Sequence, residues 1–206
     1  MTQNPFKDLK EAPYPVFLAP RPYSYDLNEG MIKLIREEFN AEGIAGKLAE
    51  AIKGKPASEV EKIGKEIFED YGQNWMRRTM QLGDEYPDRT IEVLKESVDR
   101  SGNQFLLWPH VPQRFVEIAY LSTQQFLKLP FTLNNQYALA YKIPQCLLFN
   151  QIKEKCGEKV ANLMTCQNAC LKALETMRND LELDAATDMA ASTAKDGYCE
   201  FSMRKL

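Results

Sequence analysis

The chain has 206 residues and a formal net charge of −3, from 26 basic and 29 acidic side chains. Its hydrophobic (44%) and charged (27%) fractions are close to the globular average, which excludes a disordered, collagen-like or supercharged chain. The small negative charge offers no strong field for a phosphate backbone, so nucleic acid is not an expected partner.

The sequence predicts a cytoplasmic protein. No run approaches about 18 apolar residues, so neither a membrane span nor a membrane partner is expected. The first eleven residues are polar and lack the apolar core of a signal peptide. The five cysteines are an odd number without a compact disulfide pattern, which is typical of free thiols in a reducing compartment.

Two regions are predicted. Residues 1–28 hold five prolines, and because proline lacks an amide donor this segment is predicted to be an extended arm. The aromatic residues among the prolines predict that the arm packs on the domain. Residues 29–206 form a single α+β domain. Within it, residues 29–100 are a helical part and residues 101–206 a mixed part that holds the ligand pocket.

Three helices are predicted in the helical part. The first begins at Asn28 as its N-cap, is weakened by glycines in its middle, and ends at residues 54–56. The second is long and opens with a capping box formed by Ser58 and Glu61. The third covers residues 88–100.

The pattern changes after Gly102. Residues 105–108 are a short apolar run that predicts a strand, and residues 136–142 alternate weakly as a second strand would. Residues 115–126 fit helical spacing about as well as strand spacing. A helix is predicted from Pro144 to Cys156.

The C-terminal end combines a long helix with a hairpin. Residues 158–181 have the clearest helical periodicity in the chain, and residues 183–193 and 198–204 flank an Asp-Gly turn signal. The predicted fold is therefore α+β: an N-terminal helical layer followed by a small antiparallel sheet packed on a long C-terminal helix.

Three cysteines are candidates for chemistry. Cys166 and Cys170 lie one turn apart on the predicted helix. They could be two metal ligands, a nucleophile with its resolving thiol, or ordinary core residues. Strand alternation turns Cys199 inward, where it could join them and His110 in a Cys₃His zinc set. The cofactor prediction is either none or a divalent metal such as zinc.

His110 is the only histidine and lies between two prolines. An imidazole is the natural proton-transfer group at neutral pH, so His110 is a catalytic candidate together with Cys166 and Cys170. The alternative is a hydrogen-bonded histidine in a surface loop.

A mostly apolar pocket with a few polar groups is predicted near His110, although ordinary core packing explains most of the aromatic residues. Arg114 could hold a ligand carboxylate by a two-point contact. Gln167 lies at the centre of an apolar stripe, where its amide either ties down a backbone or faces a cavity. The candidate ligand-binding residues are Trp108, Arg114, Glu117, Tyr120, Tyr141 and Gln167.

Two short stretches resemble known families. Residues 63–72, IGKEIFEDYG, are similar to the early helix of the L-2-amino-thiazoline-4-carboxylic acid hydrolase-like family. Residues 195–201, KDGYCEF, resemble the end of those chains and also the end of the small-molecule-binding domain named after 4-vinyl reductase. The hydrolase resemblance implies ring opening at a cyclic amidine-type C–N bond of a small amino-acid-derived heterocycle.

Two functions follow as expectations. The first is a small-molecule hydrolase, with Cys166 or Cys170 as nucleophile or metal ligand, His110 as proton shuttle and Arg114 as carboxylate anchor. The alternative is a non-catalytic small-molecule-binding module whose cysteines are structural or bind zinc. A small molecule is the expected partner, an oligomer is compatible with the sequence, and a helix-mediated scaffold is a third option.

Overall fold

The computed structural model describes residues 27–102, 108–124 and 127–206. The predicted strand at 105–108 and the predicted arm lie outside these ranges, except for Trp108 and residues 27–28. None of the described helices is both long and apolar enough to cross a membrane. The helices in this part of the chain are α1 (Glu29–Glu38), α2 (Ala41–Ala51), α3 (Ala57–Glu85), α4 (Arg89–Ser101), α5 (His110–Thr123), α6 (Leu147–Cys156), α7 (Glu158–Ala161), α8 (Gln167–Asp180) and α9 (Thr193–Asp196).

The strands form one antiparallel sheet and confirm the predicted α+β fold with its N-terminal helical layer. They are β1 (Phe131–Asn134), β2 (Ala138–Ile143), β3 (Ala185–Ala191) and β4 (Cys199–Lys205). Their order in the sheet is β1-β2-β4-β3, with every neighbouring pair antiparallel. The predicted C-terminal hairpin is confirmed, because β3 pairs with β4 along its length. Residues 115–123 of the ambiguous segment are helical, within α5, and residues 125–126 lie outside the described residues.

The first predicted helix is two helices. Asn28 caps α1 as expected, because its Oδ1 accepts a hydrogen bond from the Gly30 amide at 2.8 Å. The helix then breaks at Asn40, whose Oδ1 accepts from the Gly43 amide at 2.7 Å and so opens α2. An asparagine that satisfies an open amide at a helix start is a standard N-cap, and the sequence contains two of them here.

The predicted capping box at Ser58 and Glu61 is wrong. Helix α3 already begins at Ala57, so Ser58 lies inside its first turn, and Pro56 takes the N-cap position without a side-chain hydrogen bond. Pro56 is extended, with φ of −69° and ψ of 156°, and because proline has no backbone N–H it leaves no donor of its own open at the helix start.

The predicted long helix over residues 158–181 is also wrong. It divides into α7 and α8, and between them Met164 adopts a left-handed backbone with φ of 54°. The break seats the buried Thr165 side chain against Gly64 of α3. Apolar spacing continued across the break, so periodicity alone could not reveal it.

Helix α8 lies directly on α3 because α3 has glycines on that face. A Cβ built at Gly72 would lie 2.1 Å from the carbonyl oxygen of Ala169, and one at Gly64 would lie 2.7 Å from Thr165 Oγ1. Only glycine permits this approach of the two backbones. The contact sets where Trp75 on α3 and Cys170 on α8 stand.

Candidate functional site

A small cavity of about 20 Å³ lies among α2, α3, α5, α6, α8, β2 and β4; we call it the thiol cavity. It brings together three predicted site residues, Tyr120, Cys170 and Cys199, and adds Cys146, which the sequence analysis did not single out. This volume holds about one water molecule. Its lining residues are Ala41, Tyr71, Trp75, Tyr120, Thr123, Gln124, Ile143, Cys146, Leu148, Cys170 and Cys199.

The thiols of this cavity are neutral at physiological pH. Desolvation raises the pKa of Cys146 to about 12, and it also raises the pKa of Cys170 well above its usual value, with the neighbouring Cys146 thiol adding to the effect. Burial raises the pKa of Cys199 too, although a hydrogen bond with Thr193 opposes it. A nucleophilic thiol needs a lowered pKa, whereas the pKa values of these three thiols are raised, which is typical of structural cysteines.

The hydroxyl groups near the thiols are already hydrogen-bonded. Tyr71 donates to the Phe39 carbonyl at 2.9 Å, and the hydroxyls of Tyr120 and Tyr141 lie 3.3 Å apart. Desolvation raises the pKa of Tyr120 well above its ordinary value, so it stays protonated beside the thiols. The predicted residues Tyr120 and Tyr141 therefore belong to one buried polar pair.

His110 and Cys166 do not line the thiol cavity. His110 is the exposed first residue of α5, and Tyr120 lies ten residues further along the same helix. At 1.5 Å per residue their Cα atoms are separated by about 15 Å along the axis. Cys166 is buried at the N-cap position of α8. The predicted combination of imidazole and thiols is thus not assembled around this cavity.

The described part of the chain contains no group of three or more His, Cys, Asp or Glu side chains arranged to hold a metal ion. Of the predicted zinc ligands, Cys170 and Cys199 share the thiol cavity and Cys166 lies outside it. Zinc binding therefore stays a prediction without support from this geometry.

A larger cavity, of about 320 Å³, lies between α4 and α5; we call it the Arg114 cavity. Apolar side chains form most of its wall, and charged groups add a few polar points. Its lining residues are Asp84, Ile91, Lys95, Val98, Asp99, Val111, Arg114, Phe115 and Leu181.

Arg114 lines this cavity, but the carboxylate it holds is the protein's own. Its Nε donates to the Asp88 carboxylate, and its Nη2 donates to the carbonyls of Gly83 at 2.9 Å and Tyr86 at 3.0 Å. The side chains of Arg114 and Asp88 are only 2% and 1% exposed. Because Asp88 also caps α4 through the Ile91 amide, the pair joins the end of α3 to the start of α4 and α5.

The other three predicted ligand residues are dispersed. Trp108 is buried and its Nε1 donates to the Asn135 carbonyl at 3.1 Å. Glu117 is buried and accepts from Gln113 Nε2 at 3.0 Å. Gln167 is half-buried and borders an open groove beside β3. Its predicted place in an apolar stripe assumed one helix from residue 158, whereas α8 begins at Gln167 itself.

Sequence reasoning did not single out Tyr71, Trp75 or Cys146 as lining residues of the thiol cavity. Tyr71 and Trp75 lie in the segment predicted as the long second helix, and only long-range packing brings them to the cavity. Cys146 is the N-cap of α6, and its Sγ accepts from the Phe149 amide at 3.4 Å. The predicted helix started at Pro144 and so contained Cys146, which left no signal for its position at the N-cap.

We expect Ellman's reagent to label one thiol quickly at pH 8. Cys156, half-buried at the end of α6, should react first, since at a pKa of about 12 only about one Cys146 thiol in ten thousand is ionised. The Cys146 rate should rise about tenfold between pH 7 and pH 8, since both lie far below its pKa of about 12. Cys156→Ser should remove the fast phase, and urea should release all five thiols. Fast labelling of three native thiols at pH 8 would contradict the pKa shifts.

Comparisons of the chain with protein-family models, with curated proteins and with solved structures find no match. The two family resemblances stated from residues 63–72 and 195–201 therefore stay predictions.

Proposed function

We propose that the protein is a non-catalytic small-molecule-binding module whose ligand occupies the Arg114 cavity. The observation that carries this proposal is the cavity itself, because about 320 Å³ falls within the range of small-molecule sites, roughly 300–1,000 Å³. Its apolar wall, with Val98 and Phe115, suits a hydrophobic ligand body. Lys95 and Asp99 provide polar contacts at its edge.

Three observations favour binding over hydrolysis. Arg114 is paired with Asp88, the thiols of the second cavity are protonated, and His110 lines neither cavity. In this proposal the buried cysteines are structural, and all five described cysteines are free, as in a reducing cytoplasm. The hydrolase activity and the cytoplasmic location stay predictions.

The test uses N-phenyl-1-naphthylamine, an uncharged fluorescent probe, and two tryptophan substitutions on α4. Val98→Trp places an indole in the cavity and is expected to weaken probe binding by about tenfold or more, because the indole takes space that the probe needs. Val93→Trp is the matched control, because Val93 is 53% exposed on the same helix and outside the cavity. Fluorescence titration gives both dissociation constants.

The proposal fails if the unmodified protein shows no saturable binding of the probe. It also fails if both tryptophan variants lose affinity equally, because the loss would then come from α4 as a whole. Circular dichroism of each variant shows that the fold is retained before the titrations are compared.

A further inference from the structure

The charged groups around the Arg114 cavity do not balance. Its lining residues include two carboxylates and two cations, which are Asp84, Asp99, Lys95 and Arg114. Asp88, which is not itself a lining residue, forms a buried ion pair with Arg114 and cancels its charge. These groups together leave one negative charge in excess at the cavity.

Both cations already face a carboxylate of the protein. Arg114 is paired with Asp88, and the Nζ of Lys95 lies 3.8 Å from Oδ1 of Asp84. A carboxylate ligand would therefore have to share its cation with a carboxylate of the chain. The carboxylate ligand expected from the residue type of Arg114 is thus not favoured by this arrangement.

Asp99 is a lining carboxylate without a cationic partner. It is exposed near the end of α4, and in the described part of the chain it makes no hydrogen bond or ion pair. Val98, the residue before it, lines the same cavity, so the carboxylate stands beside the apolar wall. An ammonium group placed there would gain a counter-charge while it keeps its contact with water.

We propose that the ligand of the Arg114 cavity is a hydrophobic amine. Its apolar body lies against the wall that includes Val98 and Phe115, and its ammonium group pairs with Asp99. This inference rests on the proposed function, because it needs a ligand in that cavity. The apolar wall binds any ligand of suitable shape, and the excess negative charge selects among ligands of one shape.

The test is a nuclear magnetic resonance titration of the full chain with three ligands of one skeleton. These are 1-naphthylmethylamine, 1-naphthylmethanol and 1-naphthoate, which are cationic, neutral and anionic at pH 7. The amide signals of Val98 and Val111, one on each helix of the cavity, give each dissociation constant. We expect the amine to bind more tightly than the carboxylate, and this preference to shrink in 1 M salt, where the Debye length is only about 3 Å.

Asp99→Asn should raise the dissociation constant of the amine about threefold, the size of effect that an exposed ion pair supplies. The same substitution should leave the alcohol unchanged and lower the dissociation constant of the carboxylate. Glu61→Gln is the matched control, because it removes the same charge at an exposed position of α3. At 1.5 Å per residue it lies about 35 Å along the helix from Asp84, well beyond the Debye length of about 10 Å in 0.1 M salt.

The outcomes separate this inference from the proposed function. Saturable binding of all three ligands without a preference for the amine would overturn the inference and leave the binding module intact. Equal changes for the three ligands in Asp99→Asn, or an equal loss of amine affinity in Glu61→Gln, would overturn it as well. If none of the three ligands binds saturably, the proposed function fails together with the inference.

Discussion

Replacing Gly72 by alanine should lower the free energy of unfolding by about 3 kcal/mol or more, or prevent folding altogether. The new Cβ would lie 2.1 Å from the carbonyl oxygen of Ala169, which is backbone of α8 and cannot rotate away as a side chain would. The two helices would have to separate, and overpacking of this kind typically costs about 1–3 kcal/mol, occasionally more. Urea denaturation followed by circular dichroism measures the loss.

Gly46→Ala is the matched control on α2. A Cβ built at Gly46 meets no atom within 4 Å, so alanine should raise the free energy of unfolding by up to about 1 kcal/mol through its higher helix propensity. The opposite signs separate the close contact from the general effect of alanine in a helix. Equal urea midpoints for the two variants would refute the backbone contact between α3 and α8.

Replacing Arg114 by methionine should destabilise the protein by about 3–5 kcal/mol, since it leaves the Asp88 carboxylate buried without its partner. The carbonyls of Gly83 and Tyr86 also lose their donor. Methionine retains much of the side-chain volume, so the effect reports lost pairing more than lost packing. Thermal and urea unfolding measure it.

Two comparisons make this prediction specific. Adding Asp88→Asn to Arg114→Met should recover part of the loss, because the buried charge is then removed. Arg100→Met breaks an exposed pair with Glu96 on α4 and should change stability by no more than about 0.5 kcal/mol. Equal losses for Arg114→Met and Arg100→Met would show that the buried pair has no special weight.

Helix caps and turn residues, which act within a few positions of the chain, predicted several element boundaries correctly. Asn28 caps α1, the helix predicted from residue 88 is α4 with Asp88 as its N-cap, and the Asp-Gly turn signal lies between β3 and β4. The break at Met164 was not predictable, because apolar spacing continued through it. There the contact of Thr165 with Gly64, residues distant in sequence, decides the backbone.

The candidate site was predictable only in part. Strand alternation correctly turned Cys199 toward the core, and it shares the thiol cavity with Cys170. The residue type of Arg114 indicated carboxylate recognition, but nothing in the linear order identified Asp88 as the carboxylate. The distance from His110 to Tyr120 depends on whether the segment between them is helical, and the ambiguous spacing of residues 115–126 left this open.

The glycine contact between α3 and α8 limits how far the volume of the thiol cavity can vary. Gly72 lies three residues before Trp75, and Ala169 adjoins Cys170, so this contact holds two sides of the thiol cavity at a fixed separation. Any change in the volume of this cavity must then come from its other walls, among them Cys146 and Leu148 at the start of α6. Substitutions at those two positions should enlarge or fill the cavity without moving α8 against α3.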